Sequence, residues 1–307
     1  MTRAVKVLHR NRACRCAALP GGDSQGQDPR ERTDGVAFDL AVPGLYFDGQ
    51  LIDVLWDNYD NAVAWFERYF QWGVLRREGW KVDPACVKGQ MTQMNYGTWL
   101  VTYLTESRLP HHFAERGTAE AHVRVCFRTR ELDTLYETFF AGGVRVSPVY
   151  DGPKARYFDV WATPEGIRLT LQEDQTLEAS AVYPSWTRIG VRDVTKAIEW
   201  YQAVTGMRLI ERDPDNRFAV LALKVNHSDD DSLWVLERLP ENASTDPRSG
   251  QVQPVCWIKS RDDFFQYHKD LQRLGVKTSN VGGFLARGMV SFHFYDPDGN
   301  RFNVSSM

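Results

Sequence analysis

The sequence predicts an α+β fold made of two similar copies, each containing two similar units. Three observations lead to this prediction. The segment that begins at Asn58 aligns with the segment that begins at Asp193, 135 residues later. A predicted strand, a capped helix of about a dozen residues and then hairpins follow one another four times along the chain. Similar turn sequences, TPEG at Thr163 and DPDG at Asp296, stand near the end of each copy.

Each unit begins with a segment in which apolar and polar residues alternate, which is typical of a strand with two different faces. These segments are LIDVLWD, HVRVCFRT, WTRIGVR and VCWIKS. A helix with an apolar stripe follows each of them, so one face of every strand is expected to pack under a helix. The four helices are predicted to begin near Asn58, Glu131, Asp193 and Asp262.

The first 44 residues lack both the helical and the strand period and are rich in turn-forming residues, which predicts a flexible tail. We therefore divide the chain into a tail over residues 1–44, a first domain over residues 45–176 and a second domain over residues 182–307. The tail opens with basic residues, so an organellar transit peptide is an alternative interpretation.

The four units and the DPDGN hairpin resemble the vicinal oxygen chelate superfamily, which includes glyoxalase I, extradiol dioxygenases and bleomycin-resistance proteins. The resemblance covers roughly residues 46–307 and implies tandem domains, each made of two βαβββ units. In this family the mixed sheets of two units curl into a cup, with the helices outside. The resemblance therefore implies that each copy of this chain forms one cup.

The resemblance also implies metal ligands on the first and last strands of each unit. The first-strand positions fall on Leu51, Arg124, Trp186 and Val255, and the closing-strand positions fall on Thr170 and Asn303. A divalent site needs several His, Cys or carboxylate donors. We therefore predict no cofactor and no metal at these positions. If a divalent metal is bound, Glu237 and His293 are the best remaining ligands.

Strand parity predicts which side chains face away from the helices and form the ligand-binding surface. Aromatic walls with a few cations suit a flat or anionic organic molecule. Alternatively, Asp53 and Arg124 pair with each other, the face is open to water, or the tryptophans fill the junction between the copies. The predicted ligand-binding residues are Asp53 and Arg124 in the first copy and Trp186, Arg188, Trp257, Lys259, His293, Tyr295 and Asn303 in the second.

Composition excludes several classes of partner. The net charge of -3 provides no clustered basic excess for nucleic acid or an anionic membrane, and no apolar run is long enough to span a bilayer. Five scattered cysteines without CxxC spacing indicate reduced thiols. We expect a cytoplasmic monomer or homodimer whose partner is a small molecule.

The sequence leaves open whether the protein is an enzyme. Our leading hypothesis is a metal-independent protein that binds or sequesters an aromatic or anionic metabolite, because the family's metal ligands are replaced. The alternative is a lyase, isomerase or dioxygenase, with displaced metal ligands or with acid–base chemistry that needs no metal. Under that alternative, Glu237, His293 and Asp53 or His122 are the candidate donors. A structural or interaction module, with side chains filling both cups, is the third hypothesis.

Overall fold

The computed structural model describes most of the chain beyond the predicted tail. Residues from Leu40 to Met307 form one compact unit. Residues 1–39 lie outside the described part, whereas Val42, also predicted as tail, packs over Gly206. The described residues are 40–80, 88–104, 122–152, 154–178, 181–243, 252–283 and 288–307.

The first copy contains two units with the predicted order of one strand, one helix and three further strands. In the first unit these are β1 (Leu45–Asp53), α1 (Tyr59–Phe70), β2 (Val74–Trp80), β3 (Lys88–Met94) and β4 (Thr98–Leu104). In the second unit they are β5 (Val123–Thr129), α2 (Leu132–Ala141), β6 (Tyr150–Asp151), β7 (Arg156–Ala162) and β8 (Ile167–Glu173).

The second copy repeats this order. The third unit contains β9 (Tyr183–Val191), α3 (Val194–Thr205), β10 (Arg208–Arg212), β11 (Phe218–Lys224) and β12 (Asp231–Arg238). The fourth contains β13 (Val252–Ile258), α4 (Arg261–Arg273), β14 (Val290–Tyr295) and β15 (Arg301–Ser306). The other units have one more strand directly after the helix. At that place in the fourth unit, Thr278 and Gly282 form isolated bridges with Phe294 and Ser291 of β14.

All four helices start close to the predicted positions, and polar side chains cap α3 and α4. The Asp193 side chain accepts a hydrogen bond from Lys196 N, and the Ser260 side chain accepts one from Asp263 N. Asp262 therefore lies in the first turn of α4, where a negative charge favours the helix N-terminus. Within the described residues, no helix is long and apolar enough to cross a membrane.

Two mixed sheets confirm the α+β class, but each sheet joins units from different copies. The seven-stranded sheet has the order β14-β15-β13-β1-β4-β3-β2, and the eight-stranded sheet has the order β10-β11-β12-β9-β5-β8-β7-β6. The first unit thus pairs with the fourth through β1 and β13, and the second pairs with the third through β5 and β9. The resemblance implies that the two units of each copy share a cup. In the structure, the first strand of each unit pairs instead with a strand of the other copy, β1 with β13 and β5 with β9.

The helix-facing sides of the sheets pack largely within each copy, although Val182 and Val252 of the second copy join the core of the first. In the first copy, Trp65 of α1 stacks on Phe139 of α2, and both belong to a core that includes Val125 and Phe127 under the helices. In the second copy, Phe302 contacts the rings of Tyr201, Trp234 and Phe294. Burying such large apolar side chains stabilises each copy by about 1.5 to 3 kcal/mol per residue. Each copy therefore has its own core, while both sheets are shared.

The DPDGN hairpin between β14 and β15 is held by one buried carboxylate. Asp296 Oδ1 accepts hydrogen bonds from Asp298 N at 3.0 Å and Asn300 N at 2.7 Å. Its Oδ2 accepts bonds from the Tyr201 hydroxyl at 2.6 Å and Asn300 Nδ2 at 2.8 Å. Burial raises the pKa of Asp296 to about 6, although these four donors favour the carboxylate. The hairpin is thereby attached to α3 within its own copy.

We predict that Gly299→Val lowers the free energy of unfolding by about 2 kcal/mol, because Gly299 has a φ of +84°, which a β-branched residue adopts only with strain. Urea unfolding measures this change. Gly282→Val is the matched control, since a Cβ at Gly282 meets nothing within 4 Å and its φ is not positive. Equal stability of the two variants would contradict the hairpin assignment.

Candidate functional site

The eight-stranded sheet carries a cluster of arginines on the face opposite its helices. Arg124 of β5 lies directly opposite Arg188 of β9 in the antiparallel register, so both side chains leave the same face. Val123, Val125 and Phe127 alternate with Arg124 and face the helical core, which turns Arg124 away from it. Arg168 of β8 adds a third guanidinium. Both copies therefore contribute to this arginine cluster of Arg124, Arg168 and Arg188.

Asp159 of β7 is the fixed counter-charge of the cluster. Its Oδ2 accepts hydrogen bonds from Arg168 Nε at 3.1 Å and from Arg168 Nη2 at 2.6 Å. Its Oδ1 accepts a bond from the Thr170 hydroxyl at 2.7 Å and lies 3.6 Å from Arg124 Nη1. Only 3% of the Asp159 side chain is exposed, so this carboxylate is buried among the groups that it contacts.

Glu237 of β12 is the second counter-charge and is held less tightly. Its Oε2 contacts Arg188 Nε, and 44% of its side chain is exposed, compared with 12% for Arg188. Partial burial favours the neutral acid, but the bond from Arg188 and the charges of Arg188, Arg124 and Arg168 together lower the pKa of Glu237. Glu237 is therefore ionised at neutral pH.

Arg124 is the guanidinium of the cluster whose surroundings satisfy it least. Burial lowers the pKa of Arg124 to about 10, helped by the nearby charges of Arg188 and Arg168. Arg124 Nε is buried, and no acceptor among the described residues bonds to it. A buried donor without an acceptor costs about 1 to 3 kcal/mol, so an anion at this position would stabilise the site.

Aromatic side chains lie beside the arginine cluster. Trp186 donates a hydrogen bond from Nε1 to Gln172 Oε1 at 2.9 Å, which fixes its ring on the same face. Tyr150 stacks on Tyr157 with centroids 5.8 Å apart. Burial and the negative charge of Asp159 raise the pKa of Tyr150, while Arg124 and Arg168 lower it, so the phenol lies near the cluster. The face thus combines cations with flat apolar surfaces.

The seven-stranded sheet carries a different polar arrangement on its corresponding face. Gln253 Nε2 donates to Asp53 Oδ2 at 2.6 Å, and Asn303 Nδ2 donates to Gln253 Oε1 at 3.0 Å. Arg301 Nη2 donates to Asn303 Oδ1 at 3.1 Å. All four residues are buried. Two amides therefore connect a carboxylate to a guanidinium in a chain of hydrogen bonds that joins both copies.

The predicted ligand-binding residues divide between the two sheets. The eight-stranded sheet carries Trp186, Arg188 and Arg124. The other predicted residues lie on or next to strands of the seven-stranded sheet, and they are Trp257, Lys259, His293, Tyr295, Asn303 and Asp53. The expected grouping of Trp186 and Arg188 with Trp257 and His293 on one surface is therefore wrong. The alternative pairing of Asp53 with Arg124 is also wrong, because Asp53 bonds to Gln253 and Arg124 lies near Asp159.

The remaining predicted residues on the seven-stranded sheet lie around the buried hydrogen-bonded chain. His293 and Tyr295 contact each other edge to face, with ring centroids 5.5 Å apart. Lys259 Nζ lies 4.2 Å from the centroid of the Tyr46 ring, and Tyr46 is the register partner of Trp257. These contacts describe a mixed aromatic and cationic surface without a concentrated charge.

The positions that the family uses for metal ligands do not fit a divalent cation. Leu51 and Val255 are apolar, Arg124 is cationic, and the Asn303 amide already bonds on both sides. Across the residues that the structure describes, no group of three or more His, Cys, Asp or Glu could hold a metal ion. Glu237 and His293, the candidate displaced ligands, lie in different sheets. We therefore derive no step through a metal.

Sequence reasoning missed Asp159, Tyr150, Gln253 and Arg301. Asp159 stands between Phe158 and Val160 in an alternating strand, a pattern that places a carboxylate on the face away from the core. That signal was present in the sequence. Gln253 was missed because the strand begins at Val252, before the segment used for the prediction.

Comparison with known proteins supports the resemblance. Residues 184–304 match the model of the Glyoxalase/Bleomycin resistance protein/Dioxygenase superfamily. Glyoxalase I from Zea mays shares the fold, with a TM-score of 0.60 and 14% identity over 85% of this chain and 92% of that one. A Bacillus subtilis protein assigned as a dioxygenase has a TM-score of 0.59 and 11% identity over 87% and 86% of the chains. No curated protein matches the sequence significantly.

Residues 184–304 therefore match the model of this superfamily, and the described chain shares its two-copy fold with these two solved structures. At 11% and 14% identity, the likeness to the solved structures concerns the fold alone. Function must be argued from the residues that this chain carries on its sheets.

We predict that Asp159→Asn lowers the free energy of unfolding by about 3 kcal/mol, because it leaves Arg168 and Arg124 without their buried counter-charge. Urea unfolding gives the measurement. Asp231→Asn, which disturbs the more exposed pairs with Arg208 and Lys224, is the control and should cost less than about 1 kcal/mol. A loss no greater than that of the control would mean that Asp159 does not compensate the cluster.

Proposed function

We propose that this chain is a small-molecule-binding protein of the vicinal oxygen chelate type, which binds a flat organic anion at the arginine cluster without a metal. The observation that carries the proposal is the buried guanidinium of Arg124 on the eight-stranded sheet. Arg124 lies directly opposite Arg188, and its buried Nε has no acceptor among the described residues. Buried charges in proteins are normally paired, so an anion is the group that would complete this site.

The neighbouring side chains support an aromatic or otherwise flat ligand. Trp186 and Tyr150 flank the cluster and offer apolar surface next to the charge. Within the described part of the chain, Arg188 bonds to Glu237 through Nε only, so its two terminal nitrogens can reach an acceptor on a ligand. Guanidinium groups bind carboxylate, sulfate and phosphate through paired N–H donors. The ligand's anionic group would lie between Arg124 and Arg188, with its flat part toward Trp186.

Binding is better supported than catalysis at this cluster. A general acid or base works best when its pKa lies near neutrality. The pKa values of three groups here move away from neutrality, since that of Glu237 is lowered and burial raises those of Cys126 and Tyr150, while the pKa of Arg124, although lowered, is still about 10. The residues predicted on the seven-stranded sheet form a second candidate surface, whose central polar groups already bond to one another. A cytoplasmic location and a monomeric or homodimeric state remain proposals.

We predict that phenyl phosphate, used as a simple aromatic anion, binds the protein and that Arg188→Ala weakens this binding about tenfold or more. The variant should also reduce the dependence of the dissociation constant on salt, because one cation has been removed. Isothermal titration calorimetry at two ionic strengths measures both effects. Arg208→Ala, which removes an arginine paired with Asp231 on an edge strand, should leave binding unchanged.

The same titration distinguishes the two sheets and tests for a metal. Trp186→Ala should weaken binding by about 1 to 3 kcal/mol, and Trp257→Ala should have little effect. The reverse result would move the site to the seven-stranded sheet. EDTA should not change the affinity. If EDTA abolishes binding while the protein stays folded, the metal-free proposal is lost.

A further inference from the structure

The strands next to Arg188 on the eight-stranded sheet carry apolar side chains on the same face as the arginine cluster. Val235 of β12 is the register partner of Arg188, and Leu233 is the register partner of Trp186. On the next strand, β11, Val220 is the register partner of Val235. Register partners on neighbouring strands direct their side chains to the same side of a sheet. Trp186, Leu233, Val235 and Val220 thus form an apolar strip that begins beside Arg188.

The apolar strip lies on the face opposite the helices and is partly exposed. Trp234, which stands between Leu233 and Val235 on β12, is fully buried and stacks on Phe302 in the core of the second copy. Strand alternation therefore turns Leu233 and Val235 away from that core. Leu233 is 40% exposed, and the other members of the strip are half-buried. A single exposed leucine is common, but a contiguous apolar strip beside a buried charge is typical of a ligand site.

The sheet on the other side of Arg124 is more polar. There β8 and β7 present Arg168, Thr170 and Asp159, and Asp159 accepts hydrogen bonds from the other two. An apolar group placed on that side would remove these polar groups from water without offering them hydrogen bonds. On β12 and β11, the same group would cover apolar side chains, whose removal from water is favourable. The apolar part of a ligand is therefore favoured over the apolar strip.

We infer that the ligand of this site is an amphiphilic anion, whose charged group at Arg124 and Arg188 is joined through a flat part near Trp186 to an apolar extension on the strip. This inference rests on the proposed function of the cluster and adds the chemical class of the ligand. Neighbouring strands lie about 4.8 Å apart, so the strip from β9 to β11 covers about 10 Å. The extension can therefore contain several carbon atoms.

Phenyl phosphate, para-ethylphenyl phosphate and para-butylphenyl phosphate test this inference, because they share the charged group and the ring and differ in the length of the extension. Complete burial of one methylene group strengthens binding up to about fourfold. On a partly exposed strip, isothermal titration calorimetry should give about tenfold or more tighter binding of the butyl ester than of phenyl phosphate to the wild-type protein. The butyl ester should also bind with a more negative heat capacity change, which marks the burial of apolar surface. This comparison needs no variant, so it does not depend on how a substitution affects folding.

Leu233→Ser should reduce the affinity ratio between the butyl ester and phenyl phosphate to about threefold or less, because it removes the most exposed apolar side chain of the strip. Leu75→Ser is the matched control. It makes the same substitution at a leucine that is 62% exposed on β2, an edge strand of the seven-stranded sheet. The control should keep the affinity ratio of the wild-type protein.

Each of the other outcomes would overturn the inference. If all three esters bind the wild-type protein equally, the ligand has no extension on the strip, although the proposed function stands as long as Arg188→Ala weakens the binding of phenyl phosphate. If Leu233→Ser keeps the full affinity ratio, or Leu75→Ser lowers it equally, the extension does not lie on the strip. If no ester binds, the proposed function fails together with the inference.

Discussion

The antiparallel pairing of β5 with β9 places two arginines side by side across neighbouring strands, and the rest of the site depends on this pairing. Like charges at directly opposite positions of a sheet repel each other, and partial burial strengthens the repulsion. Glu237 reduces that repulsion from β12, which neighbours β9, and Asp159 does so from β7, which β8 separates from β5. Since β5 comes from the first copy and β9 from the second, neither copy contains the complete cluster.

The duplicated chain uses its two shared sheets in chemically different ways. On the seven-stranded sheet, the amides of Gln253 and Asn303 connect the charges at the two ends of their hydrogen-bonded chain, from Asp53 to Arg301. Amides have both donors and acceptors, so they can connect opposite charges without adding any. On the eight-stranded sheet, guanidinium groups provide donors only, and the buried Nε of Arg124 has no acceptor among the described residues. The first arrangement connects opposite charges through amides, whereas the second places guanidinium groups and carboxylates in direct contact.

Much of the fold followed from periodic patterns in the sequence. The four strand–helix units and the helix starts at Asp193 and near Asp262 were predicted because capping residues and apolar stripes are local signals. The pairing of the units across the copies was not predicted. A strand that alternates in polarity specifies which face is buried, but it carries little information about which edge will become its neighbour.

The candidate site, like the fold, could be predicted only where local sequence patterns determine it. Parity placed Arg124, Arg188 and Trp186 on a face away from the core, which the register of β5 and β9 supports. Grouping these residues with Trp257 and His293 failed, because that step required knowing which strands are adjacent. The role of Glu237 beside Arg188 depends on the parallel pairing of β9 with β12, a contact between residues 49 positions apart. Such distances along the chain leave no trace in local sequence patterns.

The order of the two sheets along the chain has a consequence for synthesis on the ribosome. The strands of the eight-stranded sheet come from one continuous stretch, from β5 to β12, whereas the seven-stranded sheet combines strands from both ends of the described chain. The eight-stranded sheet can therefore assemble while translation continues, but β1 has no partner on one edge until β13 has emerged. Asp53 and Gln253 are 200 residues apart. The strand made first is thus among the last to be completed, and its open edge needs protection from other chains during that interval.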